Sequence, residues 1–176
     1  ETYRARRDVA ALSAVSESAR LRKGYLPHLA AQGGYSTGLA MINFSSLAQT
    51  VRITAAALES GGVPLVPSSI TVERTVPPFG RIEESVSGLF GLSGDSLITG
   101  YIDFEAQGNG PGFISYLDYG TTDRVLLAAV PAQGAGYSDL YFSHVAEGGG
   151  YYTGLAFLNP NDQSSSLTLE IYDGKG

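Results

Sequence analysis

The two histidines of this chain are the residues best suited to proton transfer or metal binding, and both lie in the same sixteen-residue motif. HLAAQGGYSTGLAMIN spans residues 28–43 and HVAEGGGYYTGLAFLN spans 144–159, with ten of the sixteen positions identical. An imidazole can act as a general base or bind a metal ion, but a metal site needs three or four converging ligands. No second histidine lies near either one in sequence. We therefore interpret His28 and His144 as structural residues.

Other groups that could support catalysis do not form a recognisable arrangement. Ser143 and Asp139 lie near His144, but adjacent residues on a strand point to opposite faces, which argues against a triad. The chain has no cysteine, no G-x-S-x-G elbow and no phosphate-binding P-loop. Glu83 and Glu84 are side by side rather than facing one another. The sequence predicts a protein that is not an enzyme and has no cofactor and no metal.

The repeated motif itself predicts a strand, a tight turn and a second strand, and hence a β-hairpin. Its paired glycines allow turn conformations that side chains disfavour, and its interior glycine is typical of a bulge or a close backbone approach. Its final asparagine suits a turn. The motif residues are His28, Gly34, Tyr35, Gly38 and Asn43 in the first copy and His144, Gly150, Tyr151, Gly154 and Asn159 in the second.

The sequence around this motif indicates an all-β fold. Short runs rich in β-branched and aromatic residues are separated by many of the 23 glycines, a pattern typical of a β-sandwich, either immunoglobulin-like or jelly-roll-like. The predicted strands lie at 7–15, 24–31, 34–43, 49–58, 68–76, 97–106, 112–119, 124–131, 139–146, 150–158 and 166–172.

One short helix is predicted near residues 82–90. Ile82, Val86 and Leu89 recur at helical spacing. Glu83 and Glu84 would lie in its first turn, where the helix dipole favours acids, with Gly91 as its C-terminal cap.

The repeat extends beyond the motif and indicates the domain organisation. Residues 1–60 correspond to 116–176, a period too long for solenoid or propeller units but suited to a whole domain. We expect 1–19 to be the terminal strand of a preceding repeat, 20–135 a complete sandwich, and 136–176 the first strands of a following repeat. The alternative is a single pseudo-symmetric sandwich over 1–176.

Charge is unevenly distributed and suggests self-association. Residues 1–23 contain six basic and three acidic groups, a local charge of +3 that leaves −9 on the remainder of a chain whose net charge is −6. Such a basic head suits contact with an acidic body, although a solvated terminal segment is the plain alternative. A sustained basic face for nucleic acid is lacking, and no apolar run could span a membrane. The predicted subunit-interface residues are Tyr3, Arg4, Arg6, Arg7, Val9 and Leu12.

The segments 112–134 and 142–176 resemble tandem β-sandwich repeats of large bacterial secreted or cell-surface proteins of unassigned function. The resemblance implies an extracellular or cell-surface location and a structural or adhesive role. Our leading expectation is a non-catalytic module that forms a filament or surface array by head-to-tail strand addition, a homopolymer joined at sheet edges. The alternative is a carbohydrate- or protein-binding, adhesin-type module, suggested by tyrosines such as Tyr116, Tyr119, Tyr137 and Tyr141.

Overall fold

The computed structural model describes residues 15–123, 127–149 and 153–172, and the chain divides into two compact units, 1–135 and 136–176. Residues 7–14 of the predicted strand at 7–15 and the motif residues Gly150 and Tyr151 lie outside the described residues. So do the predicted interface residues, namely Tyr3, Arg4, Arg6, Arg7, Val9 and Leu12.

The first unit is a β-sandwich of two antiparallel sheets, as the sequence predicts. Its strands are β1 (Lys23–Ala31), β2 (Tyr35–Ile42), β3 (Gln49–Ser60), β4 (Val63–Pro64), β5 (Ile70–Val76), β6 (Arg81–Ser85), β7 (Ile98–Ala106), β8 (Ile114–Thr121) and β9 (Leu127–Pro131). The five-stranded sheet has the order β1-β7-β3-β4, with β5 also paired to β3, and the four-stranded sheet has the order β6-β2-β8-β9.

Alternating side chains of these strands fill the space between the two sheets. In β3, Val51 and Ile53 are fully buried, whereas Arg52 between them faces solvent. The largest fully buried side chains are Leu26, Leu29, Leu39, Met41, Val51, Ile53, Leu58, Val76, Ile102, Phe104, Phe113 and Leu117. Burying a side chain of this size contributes about 1.5–3 kcal/mol, so this set dominates the stability of the first unit.

The predicted helix near 82–90 is shorter than expected. Residues 81–85 form β6, which pairs with β2, and only Val86–Phe90 is α-helical. The Ser85 hydroxyl accepts the Gly88 N–H at 3.1 Å, so the cap falls after the two glutamates rather than before them. Gly91 ends the helix with a φ of 66°, as predicted. A separate 3-10 turn covers Glu17–Ala19.

The repeated motif differs from the predicted hairpin in its pairing. Strand β1 pairs with β7 in one sheet, and β2 pairs with β6 and β8 in the other. The turn between them, where Gly33 and Gly34 have φ of 57° and 87°, therefore carries the chain from one sheet to the other as an arch. Both strands have apolar inner faces, so placing them in opposing sheets buries both against one core.

The described part of the second unit, residues 136–149 and 153–172, contains no strand. The strands predicted at 139–146 and 166–172 are therefore not formed, nor is the described portion of 150–158. In the described ranges of both units, no helix has the length and apolar character needed to cross a bilayer.

Candidate functional site

The second unit exposes an unusual number of large apolar side chains for a short segment. Tyr141 is 94% exposed and Ile171 is 73% exposed. The others are Tyr137, Leu140, Phe142, Val145, Leu155, Phe157, Leu167, Leu169 and Tyr172. Apolar surface concentrated in this way is typical of an interaction site.

The second unit reproduces local hydrogen bonds of the first at aligned positions. The Thr37 hydroxyl accepts the Ala30 N–H at 3.1 Å and donates to the Ala30 carbonyl at 2.6 Å. The Thr153 hydroxyl does the same with Ala146, at 2.9 Å and 3.1 Å. Both copies of the motif therefore share this pair of hydrogen bonds.

The exposed side chains of the second unit align with the core of the first. Leu39 is 1% exposed, whereas its aligned residue Leu155 is 36% exposed; Ile53 is 0% exposed, whereas Leu169 is 54% exposed. We call the aligned set the open face: Leu140, Phe142, Val145, Leu155, Phe157, Leu167, Leu169 and Ile171. The open face has the composition of a sandwich core without its covering residues.

The strand order of the first unit gives a physical reason why residues 136–149 and 153–172 contain no strand. Strands β1 and β3 do not pair with each other, because β7 lies between them, and β2 pairs only with β6 and β8. The described parts of the second unit align with β1, β2 and β3. Within residues 136–149 and 153–172, none of these segments has a strand beside it that could complete its backbone hydrogen bonds within a sheet.

The final asparagine of the motif is buried in the first copy and exposed in the second. The Asn43 side chain is fully buried, and its amide donates to the carbonyls of Leu47, Val76 and Pro77 at 2.8–3.2 Å. The Asn159 amide donates to the Gln163 carbonyl at 2.7 Å, the counterpart of the Leu47 bond alone, and Asn159 is exposed.

The interior glycine of the motif follows this pattern too. A Cβ placed on Gly38 would lie 2.5 Å from Oδ1 of Asp118, its partner on β8, whereas a Cβ on Gly154 would have nothing within 4 Å. The second copy thus has a glycine at this position although no atom lies where Asp118 lies beside Gly38.

The two histidines, singled out by sequence, occupy different environments. Two residues of β1, Pro27 and His28, lie opposite the single residue Tyr101 of β7, which is a bulge. The His28 ring meets the Tyr119 ring edge-on at 5.0 Å between centroids, and burial lowers the pKa of His28. His144 is exposed. These positions are consistent with a packing role for His28.

Other titratable groups are distributed without a metal-binding arrangement. Within the described ranges, no group of three or more His, Asp or Glu side chains could hold a metal ion. Asp139 accepts a hydrogen bond from Ser138 at 2.7 Å. Glu84 of β6 accepts two bonds from the Arg74 guanidinium of β5, at 2.7 Å and 3.0 Å, and these hold the pKa of Glu84 below its usual range.

A cluster that sequence reasoning missed lies on the outer face of the five-stranded sheet. The half-exposed Tyr25 of β1 pairs in register with Asp103 of β7, and Tyr101 is on the same strand as Asp103. The Lys23 ammonium lies 5.6 Å from the centre of the Tyr25 ring. Burial raises the pKa of both Tyr101 and Asp103. The period-2 alternation around KGY and YID could have indicated this shared face.

Comparison with known proteins supports the fold and assigns no activity. No protein family matches the chain, and neither does any curated protein. The crystal structure of Thermotoga maritima 1070 is similar, with 14% identity and a TM-score of 0.50, covering 66% of this chain and 97% of that one.

Proposed function

We infer that this chain is a non-catalytic structural module of an extracellular or cell-surface assembly, which joins other modules by completing β-sheets. The observation that carries the proposal is the open face of the second unit, whose exposed side chains align with buried positions of the first unit. Covering apolar side chains and pairing free edges both favour association. The wider resemblance to tandem secreted repeats supports an array or filament.

Charge favours a head-to-tail order of assembly. Residues 1–23 have a net charge of +3, whereas 136–176 contain five acidic residues and one lysine, a net charge of −4. Opposite charges at the two ends steer unlike ends together and separate like ends. A head-to-tail contact between copies produces a fibre unless the rotation closes a ring.

The sheet order sets a condition on strand donation by residues 1–15. Residues 8–15 align with 123–130, which include most of β9, and β9 pairs with β8 at the end of the four-stranded sheet. A donated N-terminal strand therefore needs an acceptor whose β8 edge is free. Removal of residues 1–15 tests this route directly.

The test of assembly is light scattering with negative-stain electron microscopy on the purified chain and its variants. We expect regular fibres from the full chain and loss of fibres on deletion of residues 1–15 or on Leu169→Asp in the open face. Thr168→Asp is the matched control, because it aligns with the solvent-facing Arg52. A clean monomer at all concentrations would contradict self-assembly. Fibres that persist without residues 1–15 would contradict the N-terminal strand as donor.

A carbohydrate- or protein-binding module is the second candidate. The cluster of Tyr25, Tyr101 and Asp103 favours it, because aromatic rings beside a carboxylate can stack on a sugar ring and accept its hydroxyl protons. Glycan-array binding that is lost in Tyr101→Ala and kept in Tyr116→Ala, on the opposite sheet, would support it. Absence of binding by the unmodified chain would contradict glycan binding.

A further inference from the structure

Three large apolar side chains are exposed at one end of the sandwich, in two loops whose backbones adjoin. Phe44 is 39% and Leu47 is 73% exposed in the loop between β2 and β3, and Phe79 is 72% exposed in the loop between β5 and β6. The Phe79 N–H donates to the Ser45 carbonyl at 3.1 Å, which joins the two loops. We call Phe44, Leu47 and Phe79 the apolar tip.

The backbone at Phe79 adopts a conformation that its side chain disfavours. Its φ is 50°, in the left-handed region where a bulky residue is a genuine outlier. Strain of this kind is concentrated at binding sites and active sites, where the surrounding structure maintains it. Glycine or asparagine would fit this backbone with less strain. The presence of phenylalanine therefore indicates a use for the exposed ring.

Hydrogen bonds within the two loops pair the polar backbone groups beside the apolar tip. The Asn43 side chain donates to the Leu47 carbonyl at 2.8 Å and accepts the Ser45 N–H at 2.9 Å. The Ser45 hydroxyl donates to the Leu47 carbonyl at 2.7 Å and accepts the Leu47 N–H at 3.2 Å. The Gly80 N–H donates to the Pro77 carbonyl at 3.0 Å. Because these groups are paired inside the protein, moving them out of water costs little.

The second copy of the motif repeats these turn bonds with different side chains. The Asn159 amide donates to the Gln163 carbonyl at 2.7 Å, and its Oδ1 accepts the Asn161 N–H at 3.1 Å. Pro160 and Gln163 stand where the first copy has phenylalanine and leucine. The turn therefore forms without those two apolar side chains, so the local fold does not account for their presence in the first copy.

The loops at this end are uncharged, and basic groups border them. No charged side chain occurs in three of these loops, namely residues 43–48, 77–80 and 107–113. Arg81 directly follows the second loop; its side chain is 68% exposed and contacts Glu83 at 3.3 Å. The Arg22 guanidinium donates to the Gly108 and Gly110 carbonyls in the third loop. An apolar tip with a basic border is complementary to an anionic surface that has an apolar interior.

The size of the apolar tip argues against a second copy or another folded protein as its partner. Three side chains exposed to this extent present on the order of 350 Å² of apolar surface. A standard protein–protein interface buries about 800 Å² on each partner. A lipid bilayer requires no matching surface, because a few apolar side chains can enter the boundary between headgroups and acyl chains by themselves.

We propose that the apolar tip docks the first unit on the surface of an anionic lipid bilayer. Phe44, Leu47 and Phe79 enter the boundary between headgroups and acyl chains, and Arg81 lies at the level of the lipid phosphates. The two sheets stay outside the bilayer. This contact goes beyond the proposed assembly and does not depend on it, because the apolar tip and the open face share no residue.

Tryptophan fluorescence tests the contact, because the chain contains no tryptophan. The full chain with Phe79→Trp is mixed with vesicles made of equal amounts of phosphatidylcholine and phosphatidylglycerol. We expect its emission to shift to shorter wavelength. Val63→Trp is the matched control, since Val63 is 66% exposed but pairs with Ser60 at the opposite end of β3, and its emission should not shift. An equal shift at both positions, or no shift at position 79, would overturn the proposal.

Flotation of the same vesicles on a density gradient measures binding directly. Phe79→Asn removes the ring and suits the positive φ, so the variant should fold normally, as checked by circular dichroism. We expect it to reduce vesicle affinity by about tenfold or more, whereas Val63→Asn should leave affinity unchanged. Unchanged affinity of Phe79→Asn, or no flotation of the unmodified chain, would overturn the docking site. Equal affinity for vesicles of phosphatidylcholine alone would overturn the role of the basic border.

One further variant separates this contact from the proposed assembly. Leu169→Asp, which should abolish fibres, should leave vesicle affinity unchanged when flotation is measured below the concentration at which fibres form. Phe79→Asn should leave fibre formation unchanged. Flotation that is lost in Leu169→Asp and kept in Phe79→Asn would assign lipid binding to the open face and overturn the docking site. Flotation that requires Phe79 in a chain that forms no fibres would retain the docking site and remove self-assembly.

Discussion

The two copies of the motif share one pair of local hydrogen bonds in opposite surroundings. In the first copy, strands β1 and β2 lie in different sheets and their inner side chains are buried. In the second copy, Thr153 makes the same two bonds to Ala146, but the described side chains aligned with that core are exposed. The threonine bonds therefore form without a surrounding sandwich, whereas burial of the motif requires strands from elsewhere in the repeat.

Truncation of the aligned leucine in each copy should give the largest difference in the free energy of unfolding. Leu39→Ala opens a cavity in a closed core, and we expect it to lower the free energy of unfolding by about 2–5 kcal/mol. Leu155→Ala at the aligned, 36% exposed position should change it by less than about 1 kcal/mol. Urea unfolding followed by far-ultraviolet circular dichroism measures both. Equal losses would mean that the second core is closed in solution.

The fold class was readable from the sequence because alternation and glycine spacing report local conformation. TVRITAAAL alternates and forms β3, and Gly91 ends the helix with a left-handed conformation. The start of the helix was misplaced, since Ile82 fits helical spacing equally well while pairing with Met41 on β2. Short apolar runs leave that ambiguity open, and a neighbouring strand resolves it.

The open face could not be read from the motif alone. The alternation in SLTLEIY predicts a strand, but its formation depends on which strand lies beside it. Strands β1 and β3 are close in sequence, but β7 lies between them in the sheet. Strand β7 begins 38 residues after β3 ends. Alignment of the repeat identifies the missing strands only once that order is known. The pairing partners, rather than local propensity, set the state of residues 139–172.

Removal of the final asparagine from each motif copy should have the next largest effect on the free energy of unfolding. Asn43→Ala removes the amide donor from the buried Val76 carbonyl and the partly buried Pro77 carbonyl, which should cost about 1–3 kcal/mol. Asn159→Ala removes two exposed bonds, one from its amide to the Gln163 carbonyl and one from the Asn161 N–H to its Oδ1, and should cost less than about 0.5 kcal/mol. Thermal unfolding of the two variants under one buffer gives both values. A larger loss for Asn159→Ala would reverse the assignment of the buried and exposed copies.

The smallest expected effect on stability concerns the ion pair between Arg74 and Glu84 in the first unit. Arg74 and Glu84 join β5 to β6 across the two sheets, with side chains 35% and 33% exposed, so solvent screening limits the pair to about 0.2–1 kcal/mol. The pKa of Glu84 is lowered by the Arg74 hydrogen bonds. Its contribution is therefore present above the unfolded-state pKa of about 4.3 and is lost as the pH falls through the lower folded value.

Glu84→Gln should accordingly destabilise the chain at pH 7 and make little difference at about pH 2. Unfolding free energies of the unmodified chain and the variant, measured across this interval, should converge on acidification. Glu83→Gln is the matched control, because Glu83 contacts Arg81 on its own strand at 3.3 Å with both side chains more than half exposed. A difference for Glu84→Gln that stays constant with pH would show that the amide disturbs packing between β5 and β6. Side-chain packing, rather than the ion pair, would then stabilise the contact between the two sheets at this edge.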